Sequence, residues 1–174
     1  IHSDIVINVT INESGKGLSS LNDAIKGDAC FTSIKEILLV TTWADCIPII
    51  LYDYKKKFIA SVHSGWRGAK QNIIQKVLDI FLSGDSDKKN IYAAIGPGIR
   101  DCCYKVGDEF TAHFKGTELL KFIKNKNNIL YFDLAGAVYD QILKEGIPED
   151  NIDFIKKCTC CCKYPSFFSC RKDG

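Results

Sequence analysis

The chain of 174 residues is 46% apolar and 25% charged, and its 23 basic and 21 acidic residues leave a net charge of +2. That length and apolar fraction supply the core of a single domain over residues 1–174, while the balanced charge leaves no nucleic-acid or membrane-surface footprint. No apolar run approaches the ~20 residues that span a bilayer, and no export signal is visible.

The complete absence of Met leads us to expect a fragment of a longer protein. Cysteine use is unusual: there are nine, an odd number, concentrated over 158–170. A secreted disulfide scaffold spreads an even number along a shorter chain. Free thiols in a reducing cytoplasm are therefore expected.

In chain order, residues 3–11 alternate as a strand with His2 at its entrance. Residues 12–28, rich in Gly, Ser, Asn and Asp, read as a loop, and 37–42 as a further strand. Two apolar, β-rich runs at 46–52 and 58–63 flank a polar turn at Asp53, Tyr54 and Lys55 and predict a hairpin. Its solvated tip carries the lysines at 55–57. Ile73, Ile74, Val77, Leu78 and Phe81 fall at helical spacing and predict a helix over 69–82 that ends at Gly84. A strand follows at 91–95, stopped by Gly96-Pro97-Gly98, with helices over 107–114 and near 118–123. The segment from 131 starts as a strand and passes into a helix with Asp133 as N-cap and Gly146 as its stop. The last strand candidates are 152–155 and 167–170. Without a regular βαβ rhythm, the chain reads as an α+β domain of layered mixed sheets flanked by helices.

Chemistry concentrates around the hairpin. A turn tip between Tyr54 and Lys55 sets Cys46 opposite His63, with Cβ atoms roughly 5 Å apart. With His2 at another strand entrance, these residues match a catalytic zinc site, which takes three protein ligands and keeps one position open. Two other readings use the same pair. One is a metal-free Cys–His nucleophile; the other is a packed Cys beside a hydrogen-bonded His.

The turn Ser64-Gly65-Trp66-Arg67-Gly68 opens the next helix. Gly65 and Gly68 let a backbone approach an anion, and Arg67 can form paired hydrogen bonds to phosphate. A tight turn would demand the same glycines, and the Walker pattern is absent. Cys158 and Cys161 form one C-x-x-C pair, but Cys102 and Cys103 are adjacent and do not form a second. The cluster therefore reads as a thiol-rich loop rather than a metal site. His113 reads as a surface or packing residue on a helix, and Arg171 and Lys172 as a solvated chain end.

Several motifs in fixed order carry more. ADCIPI, VHSGWRG, AIGPGIRDCCYKVG, YFDLAGA and CT followed by FFSCRKDG resemble the laccase-domain family, also described as multicopper polyphenol oxidase-like and as purine nucleoside phosphorylases. IHSD is similar to the first histidine motif of that family. Trp43 stands where Thr is usual, Lys172 where Arg is usual, and the family carries further residues on both sides of these motifs. The resemblance implies an α/β/β/α mixed-sheet fold similar to toxin-type cysteine deamidases, with zinc on His2, Cys46 and His63.

It further implies phosphorolysis of adenosine, inosine or methylthioadenosine, and adenosine deamination. In that setting Cys46 and His63 are the catalytic pair, and Arg67, Gly65, Gly68 and Lys172 hold phosphate. The partners expected are thus a purine nucleoside and phosphate, with neither nucleic acid nor membrane. The alternatives are a copper-dependent, laccase-like polyphenol oxidase and a metal-free Cys–His hydrolase.

Overall fold

The computed structural model describes residues 2–174. Its elements are β1 (Val6–Asn8), β2 (Ala29–Thr32), β3 (Ile47–Asp53), β4 (Ile59–Ser64), α1 (Trp66–Lys70), α2 (Ile73–Ser83), β5 (Ile91–Ile95), β6 (Lys105–Val106), α3 (Glu109–Ala112), β7 (Ile123–Lys126), β8 (Ile129–Phe132), α4 (Leu134–Lys144), β9 (Ile152–Phe154) and α5 (Cys170–Asp173). A six-stranded sheet runs in the order β1-β2-β4-β3-β5-β9, and a three-stranded sheet in the order β6-β8-β7. The large sheet is antiparallel at its centre and gains a parallel strand at each edge. The expected α+β layering of mixed sheets and helices is what forms.

Strand alternation explains which face is buried. Ile47, Ile49 and Leu51 of β3 point inward with Ala60 and Val62 of β4 and Ile91 and Ile95 of β5. They meet Ile73, Ile74, Val77, Leu78 and Phe81, the apolar stripe of α2. The small sheet joins the same core through Phe132, whose ring stacks on Phe114 with centroids 5.0 Å apart. The other face of the large sheet is open, with Ile50 half exposed beside Tyr92. Among the described residues, no helix is long and apolar enough to cross a membrane.

The hairpin forms, but its register differs from the expected one. Pro48, not Cys46, pairs with His63, and Ile47 pairs with Ser64. The turn is the reason. Asp53 Oδ1 accepts the amides of Lys55 and Lys56, at 2.8 and 2.9 Å, and the Lys57 amide donates to the Asp53 carbonyl. The tip therefore moves one residue toward the C-terminus, and the pairing moves by two. A two-residue shift keeps every side chain on its original face.

Elsewhere, the expected strand at 3–11 shortens to β1, because Thr10 and Glu13 form a capping box that turns the chain. The run at 37–42 forms no strand: Leu38 is 82% exposed, Thr41 meets β4 only through its hydroxyl, 2.8 Å from that of Ser61, and the strand lies upstream at β2. The helix predicted over 69–82 divides into α1 and α2 because Asn72 takes a left-handed backbone, φ 49°. Residues 167–170 form no strand and lead into α5. Asp133 caps α4 as expected, accepting the Gly136 amide at 3.1 Å.

Leu51→Ala should lower stability to urea by about 2–5 kcal/mol, as for a fully buried leucine. Leu38→Ala should change it by less than about 0.5 kcal/mol. Equal losses at the two sites would contradict the exclusion of 37–42 from the sheet.

Candidate metal centre and its cleft

Three donors converge from distant parts of the chain. His63 sits near the end of β4, Cys46 immediately precedes β3, and His2 lies before β1. Their ligand atoms all lie within 4.8 Å of one another. Cys46 Sγ is 3.6 Å from His2 Nε2, and the two imidazoles meet edge to face with centroids 5.3 Å apart. Cys46 and His63 thus share a site without being directly paired.

One residue sets both histidines. Asp28, buried just before β2, accepts His63 Nδ1 on Oδ1 at 2.8 Å and the His2 amide on the same oxygen at 3.0 Å. Its Oδ2 accepts the Ser3 hydroxyl at 2.5 Å and also the Ser3 amide, and its carbonyl accepts the His63 amide at 2.7 Å. Burial opposes the charge on Asp28. Hydrogen bonds from Ser3, then from His63, nevertheless hold its carboxyl well below the usual range. A carboxylate on Nδ1 fixes the His63 tautomer and leaves Nε2 free to ligate, as second-shell partners do in metal sites.

Burial, followed by the proximity of His63, lowers the His2 pKa and favours the neutral imidazole that a metal requires. Burial, followed by Asp45 and Asp28, pushes the Cys46 thiol up to about 11. Without a cation, burial therefore favours the thiol, and a bound metal would favour the thiolate that ligates it. Two imidazoles and a thiol that gives up its proton to a metal make an N₂S donor set of borderline softness, which fits zinc or copper.

Close approach also explains Gly65. A Cβ there would lie 3.0 Å from Cys46 Sγ and 3.0 Å from His2 Cδ2. The centre opens into a cleft of about 630 Å³, with Trp43, Trp66, Tyr104 and Phe168 as aromatic wall and Arg67 and Arg171 as cationic groups. This volume falls within the roughly 300–1,000 Å³ of small-molecule sites. A second hollow, about 420 Å³ on the open sheet face around Ile50, Tyr52 and Tyr92, has no His or Cys in its lining. The three candidate ligands therefore line the larger cleft.

The remaining motif residues divide. Arg67 lies over the Trp66 ring at 4.2 Å. Gly68 is buried on the side of Ser3 and Ile73 and does not line the cleft. Lys172 also lies outside the lining, with its ammonium 3.1 Å from the Phe167 carbonyl and 3.4 Å from Asp173. Its neighbour Arg171 enters the lining instead, above the Tyr104 ring at 5.1 Å. As α1 has only five residues, positive charge in the cleft comes from the arginines more than from a helix dipole. His113 packs on Trp66 with centroids 4.7 Å apart.

Sequence reasoning missed Asp28, Asp45 and Arg171. Asp45 ties the motifs together: its Oδ1 accepts the Thr159 hydroxyl at 2.6 Å and its Oδ2 the Arg171 amide at 2.9 Å. The Asp of ADC therefore holds both C-terminal motifs against the site, and the recurrence of those motifs together was the available signal. The thiol-rich loop reading did not bring the two cysteine pairs together. Cys102 and Cys103 lie against Cys158 and Cys161, with all four sulfurs within 4.8 Å of one another. A bridge between Gly98 and Cys158 brings these two loops together.

Comparison with known proteins agrees with the motifs. Residues 1–174 match the family model described as multi-copper polyphenol oxidoreductase laccase. A purine nucleoside phosphorylase of Clostridium acetobutylicum is 35% identical over 99% of this chain and 69% of its own length. An adenosine deaminase from an unknown prokaryotic organism is 32% identical over 87% of this chain and 59% of its own. The crystal structure of hypothetical protein YfiH from Bacillus licheniformis superposes with a TM-score of 0.91 at 28% identity, over 99% of this chain and 67% of that one.

Asp28→Asn should weaken zinc binding about 10- to 100-fold, measured by competition with a chromophoric chelator. An unchanged affinity would show that the carboxylate does not support the centre.

Proposed function

Because the chain belongs to the multi-copper polyphenol oxidoreductase laccase family, yet matches proteins named purine nucleoside phosphorylase and adenosine deaminase, we propose that it is a zinc-dependent purine nucleoside phosphorylase that also deaminates adenosine. One observation carries this reading: a three-donor metal centre faces a cleft that holds both aromatic walls and two arginines. Three protein ligands leave a coordination position for water or substrate.

In phosphorolysis, a phosphate oxygen bonds to ribose C1′ while the C1′–N9 bond breaks and its electrons pass to the purine. Arg67 and Arg171 bind the phosphate dianion, and Arg171 takes the place expected of Lys172. Trp66 braces Arg67 from beneath, and the aromatic wall stacks the base. Burial, then the nearby Cys46, pushes the Tyr104 phenol up to about 12. Tyr104 therefore stays protonated and donates a hydrogen bond to the departing purine. Cys46 and His63 act as ligands, held in place by Asp28 and Gly65. Zinc held by His2, Cys46 and His63 would supply Lewis acidity and a water of lowered pKa, toward ~7, for deamination. Nine free cysteines fit a cytoplasmic setting.

Copper on the same donors is the second reading, supported by the family description. The chain has no Met for a weak axial ligand. Its third histidine is committed to Trp66, so a multinuclear oxygen-reducing cluster has no further histidines among the described residues.

Full-length, metal-quantified protein should convert inosine to purine base and ribose 1-phosphate only when phosphate is present. Arg67→Ala should raise the KM for phosphate about 10- to 100-fold, as expected for loss of charge-assisted hydrogen bonds. Base release independent of phosphate, or no product from zinc-loaded enzyme, would contradict phosphorolysis.

A further inference from the structure

Outside the His2–Cys46–His63 centre, four thiols meet where two loops touch. Cys102 and Cys103 occupy the turn after Ile99, and Cys158 and Cys161 the loop after β9. All four sulfurs lie within 4.8 Å of one another, and Cys102 Sγ is 3.6 Å from Cys161 Sγ. A disulfide would bring two sulfurs to about 2 Å, and all four residues are free thiols. A tetrahedral ion with metal–sulfur bonds of about 2.3 Å holds its sulfurs about 3.8 Å apart. The spacing is therefore that of sulfurs around one ion.

We propose that Cys102, Cys103, Cys158 and Cys161 form a second metal site, a structural centre that binds one zinc ion through four thiolates. Soft sulfur donors in tetrahedral array select zinc or iron–sulfur chemistry, and the tight grouping suits one ion rather than a polynuclear cluster. Four protein ligands close the coordination sphere, the mark of a structural site rather than a catalytic one. Adjacent Cys102 and Cys103 can share the ion because they lie in a tight turn, closed by the Cys103 and Tyr104 amides donating to the Arg100 carbonyl at 2.9 and 2.8 Å. Cys162 stays out of the group, with its sulfur 3.4 Å from the Tyr164 carbonyl.

The ion would have a definite mechanical task. The Thr159 amide already meets the Gly98 carbonyl at 3.2 Å, and the Thr159 hydroxyl reaches Asp45 beside Cys46. Ile99 and Tyr104, which flank the cysteine turn, line the cleft. Metal at the four thiols would lock that wall to the C-terminal loop and so brace the catalytic centre without touching substrate.

Cobalt(II) titration of full-length Cys46→Ser tests this. That variant removes the Cys46 thiolate from the first centre, so the part of the sulfur-to-cobalt charge transfer that depends on Cys158 reports the cysteine cluster. The expected result is a charge-transfer band with tetrahedral d–d bands that saturates at one equivalent and is lost when Cys158→Ser is added. No such band, or one unchanged by Cys158→Ser, would overturn the proposal. If Cys158→Ser does not fold, zinc-edge X-ray absorption of the wild-type protein decides. Two loaded sites give an average of about 2.5 sulfur ligands per zinc, from four at one and one at the other, whereas the first centre alone gives about one. Neither readout depends on nucleoside turnover.

Discussion

The Asp28 carboxylate is the constraint on which the centre depends. One oxygen takes both His63 Nδ1 and the His2 amide, while the other is held by Ser3. Burying that charge is costly unless its lone pairs are filled, and here the filling groups are the residues that must be positioned. The stability of the carboxylate and the geometry of the centre are thus the same hydrogen bonds. Asp28 also explains how a residue near the start of the chain, with φ 59° at His2, is brought against the end of a central strand.

A second buried carboxylate, Asp45, performs the corresponding task for the cleft. Its left-handed backbone, φ 79°, precedes Cys46, and its two oxygens secure Thr159 and Arg171. The metal ligand and the cationic wall are therefore linked through one side chain and one peptide bond. Gly65 completes the arrangement by leaving room for sulfur and imidazole where any Cβ would intrude.

Much of this was legible in the sequence where a local rule governs. The strand at Ile91–Ile95, the apolar stripe of α2 and the Asp133 cap follow from periodicity and capping, and the structure has them. Hairpin register was misread because it is decided by Asp53 bonding into the turn, a single side chain that alternation cannot weigh. The run at 37–42 is apolar enough for a strand, but strand existence requires a partner, and β4 is already paired on both sides by β2 and β3.

Hairpin pairing, the strand entrance and the glycine-flanked turn brought His2, Cys46, His63 and Arg67 forward and the motif resemblance agreed, but the carboxylates behind them were hidden. Asp28 lies at the end of a segment that reads as a plain polar loop, and Asp45 inside a motif whose cysteine drew the attention. The four-cysteine group was unreadable for the same reason: no spacing rule joins adjacent cysteines at 102 and 103 to a pair more than fifty residues later, whereas the Gly98–Cys158 bridge does.

The central claim is an open metal centre on His2, Cys46 and His63. Anomalous diffraction at the zinc edge from crystals of the zinc-loaded, full-length protein tests it most directly. The account predicts a peak bonded to His2, Cys46 and His63 Nε2, with its remaining position facing the cleft. A peak closed by a fourth protein ligand, or none at this site, would contradict it.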